Sequence, residues 1–160
     1  MNQINIYTDG AAKGNPGPGG YGVILEYKGH IKELSSGFRI TTNNRMELLA
    51  VIIGLESIKE LRQNIMVFSD SKYVVDAINK GWLFEWERKK YKKKKNPDLW
   101  QRFLLIYRQH KVSFTWVKGH AGHAQNERCD QLAVDAANKN NLPIDNGYEN
   151  TRNIQKNLFD

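Results

Sequence analysis

Ile4-Asn5-Ile6-Tyr7-Thr8-Asp9-Gly10 alternates Ile4, Ile6 and Thr8 with Asn5, Tyr7 and Asp9, the period of a β-strand, and closes on a carboxylate followed by glycine. Ile65-Met66-Val67-Phe68-Ser69-Asp70-Ser71 repeats the plan: a short apolar strand, then an aspartate where a helix begins. Glu47 and Asp130 stand near the starts of two further helical stretches. Strand ends and helix starts gather at one rim of an α/β sheet, so these four acids are expected to meet there.

Working outward, Gly14-Asn15-Pro16-Gly17-Pro18-Gly19-Gly20 lacks the Gly-Lys-Ser/Thr ending of a phosphate loop and leads into a strand, which argues against nucleotide binding. That strand, 21–27, turns at Lys28-Gly29 into another at 31–40, completing an antiparallel meander. Thr41-Thr42-Asn43-Asn44 is a cluster of N-cap residues, and the helix after it is expected to reach about residue 61. Glu47, Ala50, Val51, Gly54, Leu55 and Ile58 share one stripe of it. Strand 65–68 and a short helix through Val74, Val75 and Ile78 follow.

Asn96 and Pro97 then supply a cap and a first helical residue for a helix with Leu99, Trp100, Phe103, Leu104 and Tyr107 on its apolar face. A strand at 111–117, a Gly119-His120-Ala121-Gly122-His123 loop and a helix over about 126–139 complete the set. In that last helix Asp130, Ala133, Val134 and Ala137 share a stripe, which points the carboxylate inward. A meander followed by β-α-β units makes an α/β protein, a mixed sheet with helices on its faces. Residues 1–140 read as one domain and 141–160 as a polar tail outside its core.

The 160 residues include one cysteine, Cys129, which excludes an internal disulfide and suits a reducing, cytoplasmic setting. A strand begins within a few residues of Met1, so no signal peptide is expected, and no apolar run is long enough to span a bilayer. Residues 88–95 carry seven positive charges and no negative one, as many as the net +7 of the whole chain. Trp82, Phe84, Trp86 and Tyr91 interleave with this run over 81–95. Lysines suit phosphates and aromatics suit stacking, so a polyanion is the expected partner; the plain alternative is a solvated loop.

Each acid alone has a local explanation: Asp70 as a helix cap, Glu47 as the partner of Asn44 in one, Asp9 as a turn residue, Asp130 as a charge near a helix start. Four together would resist ionisation unless cations joined them. Oxygen donors without cysteine favour Mg²⁺ or Mn²⁺ over Zn²⁺, and two such ions about 4 Å apart serve in-line displacement at phosphorus. His120 and His123 lack the partners of a zinc site; a mobile histidine assisting proton transfer is the better use of that loop.

Five stretches in order carry a family resemblance: Tyr7-Thr8-Asp9-Gly10, Thr42-Asn43-Asn44-Arg45-Met46-Glu47, Ser69-Asp70-Ser71-Lys72-Tyr73, Trp116-Val117-Lys118-Gly119-His120-Ala121-Gly122-His123 and Asn126-Glu127-Arg128-Cys129-Asp130. Over residues 1 to about 140 the chain resembles bacterial type 1 ribonucleases H, the ribonucleases HI. The resemblance implies a ribonuclease H-like fold, a five-stranded mixed sheet with helices on both faces. It implies endonucleolytic hydrolysis of the RNA strand of RNA–DNA hybrids by a cytoplasmic monomer, with two Mg²⁺ ions (Mn²⁺ able to substitute), leaving 5′-phosphate and 3′-hydroxyl ends. Asp9, Glu47, Asp70 and Asp130 match the metal ligands, with Asp9 bridging the two ions, and His120 matches the auxiliary histidine. Asn15, Asn43 and Asn44 match minor-groove contacts and Thr42 a DNA-phosphate contact. Trp82, Trp86, Lys89, Lys90, Lys92 and Lys93 fall in the family's basic protrusion. Gln155, Leu158 and Phe159 resemble the short peptide that docks on a sliding clamp, a weak contact here because Lys156 departs from that motif. Two other readings stand beside the hydrolase: a module that binds structured RNA without cutting it, and a nuclease of the same fold acting on DNA.

Overall fold

β1 (Gln3–Ala12), β2 (Gly17–Tyr27) and β3 (His30–Thr41) form the antiparallel meander; β4 (Asn64–Ser69) lies parallel to β1, and β5 (Lys111–Trp116) parallel to β4. The computed structural model describes residues 2–119 and 123–150, so His120, Gln155, Leu158 and Phe159 lie outside the described residues. The sheet runs β3-β2-β1-β4-β5, five strands and mixed. Tyr7 is level with Phe68 across the β1–β4 ladder, which sets Asp9 and Asp70 at the same end of neighbouring strands.

The helices are α1 (Asn43–Glu56), α2 (Lys72–Asn79), α3 (Trp82–Arg88), α4 (Pro97–Tyr107) and α5 (Ala124–Ala137). Alternation along β1 and β2 feeds two cores. Ile6 and Val23 join α1 and α4 in the main one, whereas Tyr7 and Ile24 meet Cys129 of α5 on the opposite face. A side chain on Gly22 would run into the α5 backbone at Cys129, so glycine there lets α5 seat directly on the sheet. Trp100 and Phe103 of α4 are fully buried and pack edge to face, and burying a side chain such as Phe103 contributes roughly 1.5–3 kcal/mol.

Several expectations about element bounds and faces change. β2 starts at Gly17 rather than 21, because backbone pairing with β1 and β3 carries glycines that show no alternation. α1 ends at Glu56, not near 61; Ser57 caps it, its hydroxyl donating to the Gly54 carbonyl in place of a further turn. That helix is also buried nearly all round instead of along one stripe, since the sheet covers one side and α4 the other. On α5 the buried face is Asn126, Cys129, Ala133, Ala136 and Ala137, so Val134 and Asp130 are exposed and Asp130 does not point into the core.

Residues 143–150 depart from a tail lying outside the core. The Arg39 amide donates to the Pro143 carbonyl, Arg39 pairs with Glu149, and Asp145 is buried against Thr41 and Arg45. Ion pairs hold this segment where apolar periodicity is missing. No helix of the described residues is long and apolar enough to cross a membrane.

Candidate active site

The geometry of the cluster begins at Gly10. A Cβ there would lie 2.5 Å from the Glu47 amide nitrogen and collide with the Met46 carbonyl carbon. Glycine therefore lets the first turns of α1 close on β1, bringing Glu47 beside Asp9. The Gly10 amide, close to the Glu47 carboxylate, favours its charged form. The cap roles expected of the acids belong to other residues: the Thr42 hydroxyl accepts from the Arg45 amide, and the Ser71 hydroxyl from the Val74 amide. Glu47 and Asp70 are thus spared from capping. Val117 donates to the Ser69 carbonyl, extending the β4–β5 ladder up to Asp70.

Oxygens of Asp9, Glu47 and Asp70 all lie within 4.8 Å of one another. They open into a cleft of about 450 Å³ whose walls also include Asn43, Asn44, Tyr73 and Asp130. The structure thus brings three predicted acids into a tight group and sets the fourth on its rim; His120 lies outside the described residues. Asp9 is only 4 % exposed, and Glu47 Oε2 is buried with no hydrogen-bond partner among the described residues. Burial first, then the charges of Asp9 and Asp70 and a hydrogen bond with Asp9, raise the Glu47 pKa well above the ordinary range against the opposing Gly10 amide. Crowded oxygens, one of them orphaned, and no sulfur or nitrogen donor among the three fit a hard divalent cation.

Beside the acids lie the residues expected to contact substrate. Asn43 Oδ1 accepts from the Ala12 amide at 2.6 Å, and Asn15 Oδ1 accepts from the Asn43 amide at 2.9 Å. Both side-chain carbonyls are engaged by backbone, which leaves each amide nitrogen as an oriented donor facing away from its anchor. Asn44 is exposed at the same helix start. Thr42 uses its hydroxyl oxygen as the α1 cap, with its hydrogen still available to donate.

The basic segment is an ordered ridge. Lys90, Tyr91 and Lys93 have left-handed backbones, and a chain of turns runs from α3 to Asn96. Trp82 is 47 % exposed with Lys80 over its ring, whereas Trp86 packs edge-on against buried Trp100 with Lys94 over it. Glu85 and Glu87 pair with Arg88 and Arg108. Among the described residues Lys89, Lys90, Lys92 and Lys93 form no ion pair, so their charge faces solvent.

Two residues that the sequence shows only as parts of motifs have structural roles of their own. Asn126 is fully buried, and its Nδ2 donates to the carbonyls of Thr8 and Phe68, bracing the strand ends that carry Asp9 and Asp70. Arg45 is the centre of a buried ion-pair node. Membership of a motif was the only signal for either.

Comparison with known proteins agrees with this arrangement. The family described as RNase H matches residues 1–138. A ribonuclease H of Desulforamulus reducens is 59% identical over 150 residues, covering 91% of this chain and 94% of that protein. LC9-RNase H1, described as a type 1 RNase H with the type 2 active-site motif, superposes with a TM-score of 0.76 at 36% identity, covering 86% of this chain and 72% of the other. LC11-RNase H1, solved in complex with RNA/DNA hybrid, gives 0.63 at 28% identity over 84% of this chain and 96% of its own. With five ordered motifs, the five-stranded mixed sheet and the acid cluster at its strand ends, the chain belongs to the ribonuclease H family, among its bacterial type 1 members.

Proposed function

We propose that the chain hydrolyses the RNA strand of RNA–DNA hybrids at the Asp9–Glu47–Asp70 cluster, with Asp130 on the rim as a fourth ligand, leaving 5′-phosphate and 3′-hydroxyl ends. The observation that carries this reading is the meeting of three carboxylates within 4.8 Å at the ends of β1, β4 and the start of α1. Such a group repels a nucleic-acid backbone unless cations neutralise it, so a module that only binds RNA gains nothing from it. Two bound Mg²⁺ ions, or Mn²⁺ in their place, would lower the pKa of an attacking water and stabilise the leaving oxygen. The protein's own contribution is placement. Asp9, Glu47 and Asp70 would hold the ions, and Glu47, pressed toward the neutral form without a cation, is suited to one.

Asn15, Asn43 and Asn44 offer amide donors to minor-groove acceptors, which every base pair presents, and to the 2′-hydroxyl that marks RNA. Lys89, Lys90, Lys92 and Lys93 supply the phosphate contacts and Trp82 an exposed stacking face; Trp86, half-buried, holds the ridge to the core. His120, outside the described residues, is assigned to proton transfer on its motif alone. The same proposal includes a cytoplasmic monomer and a weak clamp-docking peptide at Gln155, Leu158 and Phe159; titration of the organism's clamp with and without residues 154–160 tests the peptide. Labelled RNA–DNA hybrid, double-stranded RNA and double-stranded DNA, each with Mg²⁺ and with EDTA, test the activity. Cutting of the RNA strand of the hybrid alone, in Mg²⁺ alone, is expected; equal cutting of all three overturns it.

A further inference from the structure

We propose that residues 143–149 position the hybrid-binding ridge from behind without touching the hybrid: through Asp145 they complete a buried arginine node that fixes the lysine ridge relative to the asparagines and the carboxylates. The inference rests on the reading that the ridge grips the hybrid.

Arg45 is 3 % exposed and uses all five of its N–H donors. Nε and Nη2 donate to Asp145 at 2.7 and 2.9 Å, Nη1 and Nη2 to Asp98 at 2.9 and 2.8 Å, and Nη1 to Asn96 Oδ1 at 3.1 Å. The partners come from separate parts of the substrate surface. Arg45 lies in the first turn of α1 between Asn44 and Glu47, while Asn96 and Asp98 follow directly on the lysine run and form the root of the ridge. Asn96 Nδ2 in turn donates to the Tyr73 hydroxyl, which also accepts from Trp100 Nε1; Tyr73 lines the cleft three residues after Asp70. Asn96 stands at the N-cap position of α4 with a left-handed backbone and makes no side-chain cap bond, because its side chain is spent on the node.

Asp145 comes from beyond the 138 residues that the family pattern covers. It also accepts from the Thr41 hydroxyl at 2.7 Å, and its segment is clasped by Arg39 through Pro143 and Glu149. Gly147 presses on the node: a Cβ there would lie 2.5 Å from Arg45 Nη2 and collide with Asp98 Oδ2. One planar guanidinium forked to two carboxylates from different segments fixes an angle as well as a distance. A brace needed for stability alone could be apolar.

The test compares Asp145→Asn and Gly147→Ala with the wild type on two hybrids, one long enough to span cleft and ridge and one confined to the cleft, below the Tm of each variant. On the long hybrid KM is expected to rise about tenfold with kcat nearly unchanged, the size of coupling that contacting groups show. The short hybrid should be cut as by the wild type. In a background with Lys89, Lys90, Lys92 and Lys93 replaced by Gln, Asp145→Asn should add nothing, since the node acts through the ridge. Equal effects on both hybrids, additive effects with the ridge replacements, or an unchanged KM would each overturn the inference. If the buried variants unfold, Arg39→Gln on the exposed arm of the segment takes their place with the same expectations. A wild type that cuts neither hybrid would instead refute the activity, leaving a different failure from an intact enzyme indifferent to Asp145.

Discussion

Gly10 and Glu47 show how little separates a core from an acid cluster in this chain. Adding one methyl in Gly10→Ala must push α1 from β1; overpacking of this kind costs about 1–3 kcal/mol, and displacing Glu47 should lose most cleavage as well. Thermal melts and hybrid cleavage on the same preparation check both. Glu47 carries the opposite relation. Its pKa is raised in the folded chain, so the unfolded chain releases its proton first and apo stability falls as pH rises from the ordinary value of 4.5 through the folded one. Glu47→Gln removes that slope. In EDTA its Tm should match or exceed the wild type's, with the gap widening from pH 4.5 toward neutrality, while the rise in Tm on adding Mg²⁺ shrinks. A variant less stable than the wild type at every pH would contradict the idea that this acid is held under strain for a cation.

The ridge and its supporting helices make predictions of another kind, because their lysines act together. Replacing Lys89, Lys90, Lys92 and Lys93 should raise KM more than it lowers kcat. It should also flatten the log–log salt dependence of hybrid binding by roughly one unit for each phosphate left without its lysine. An unchanged slope would mean a solvated surface. The order of most strands and helices was legible because they carry their own period, cap or turn, as in Thr42 and the Lys28-Gly29 turn, whereas the α2 cap fell on Ser71 and not on Asp70. The burial of α5 was not, because Ala133, Ala136 and Ala137 offer no size contrast to say which neighbour faces in, and the real face is rotated from the expected one. Asn126, hidden in a motif, identifies that face through its bonds to β1 and β4. The seat of residues 143–149 was invisible for a physical reason too: Asp145 and Glu149 look like solvated acids until their arginines are placed.

In the folded chain as a whole, positive charge is concentrated on one ridge and negative charge in one cleft, with the Arg45 node between them. Removing Arg45 strands two carboxylates, one of them buried, and should cost about 3–5 kcal/mol in denaturant unfolding; lysine, with three donors for five places, should recover little of it. Asp98 is raised by burial but lowered further by the bonds and charge of Arg45, to a net value below 3.8. Its share of stability is therefore present above that value and lost as pH falls through the lower, folded one. Under the proposed function recognition and chemistry are separable, with the ridge and asparagines assigned to holding the duplex and the acid cluster to cutting it. The most direct measurement compares hybrid binding and cleavage by Asp70→Asn in Mg²⁺. Cleavage should be abolished while the hybrid still binds at least as tightly, since one charge that repels phosphate is gone. Near-normal turnover by that variant would contradict the assignment of the cluster as the seat of hydrolysis.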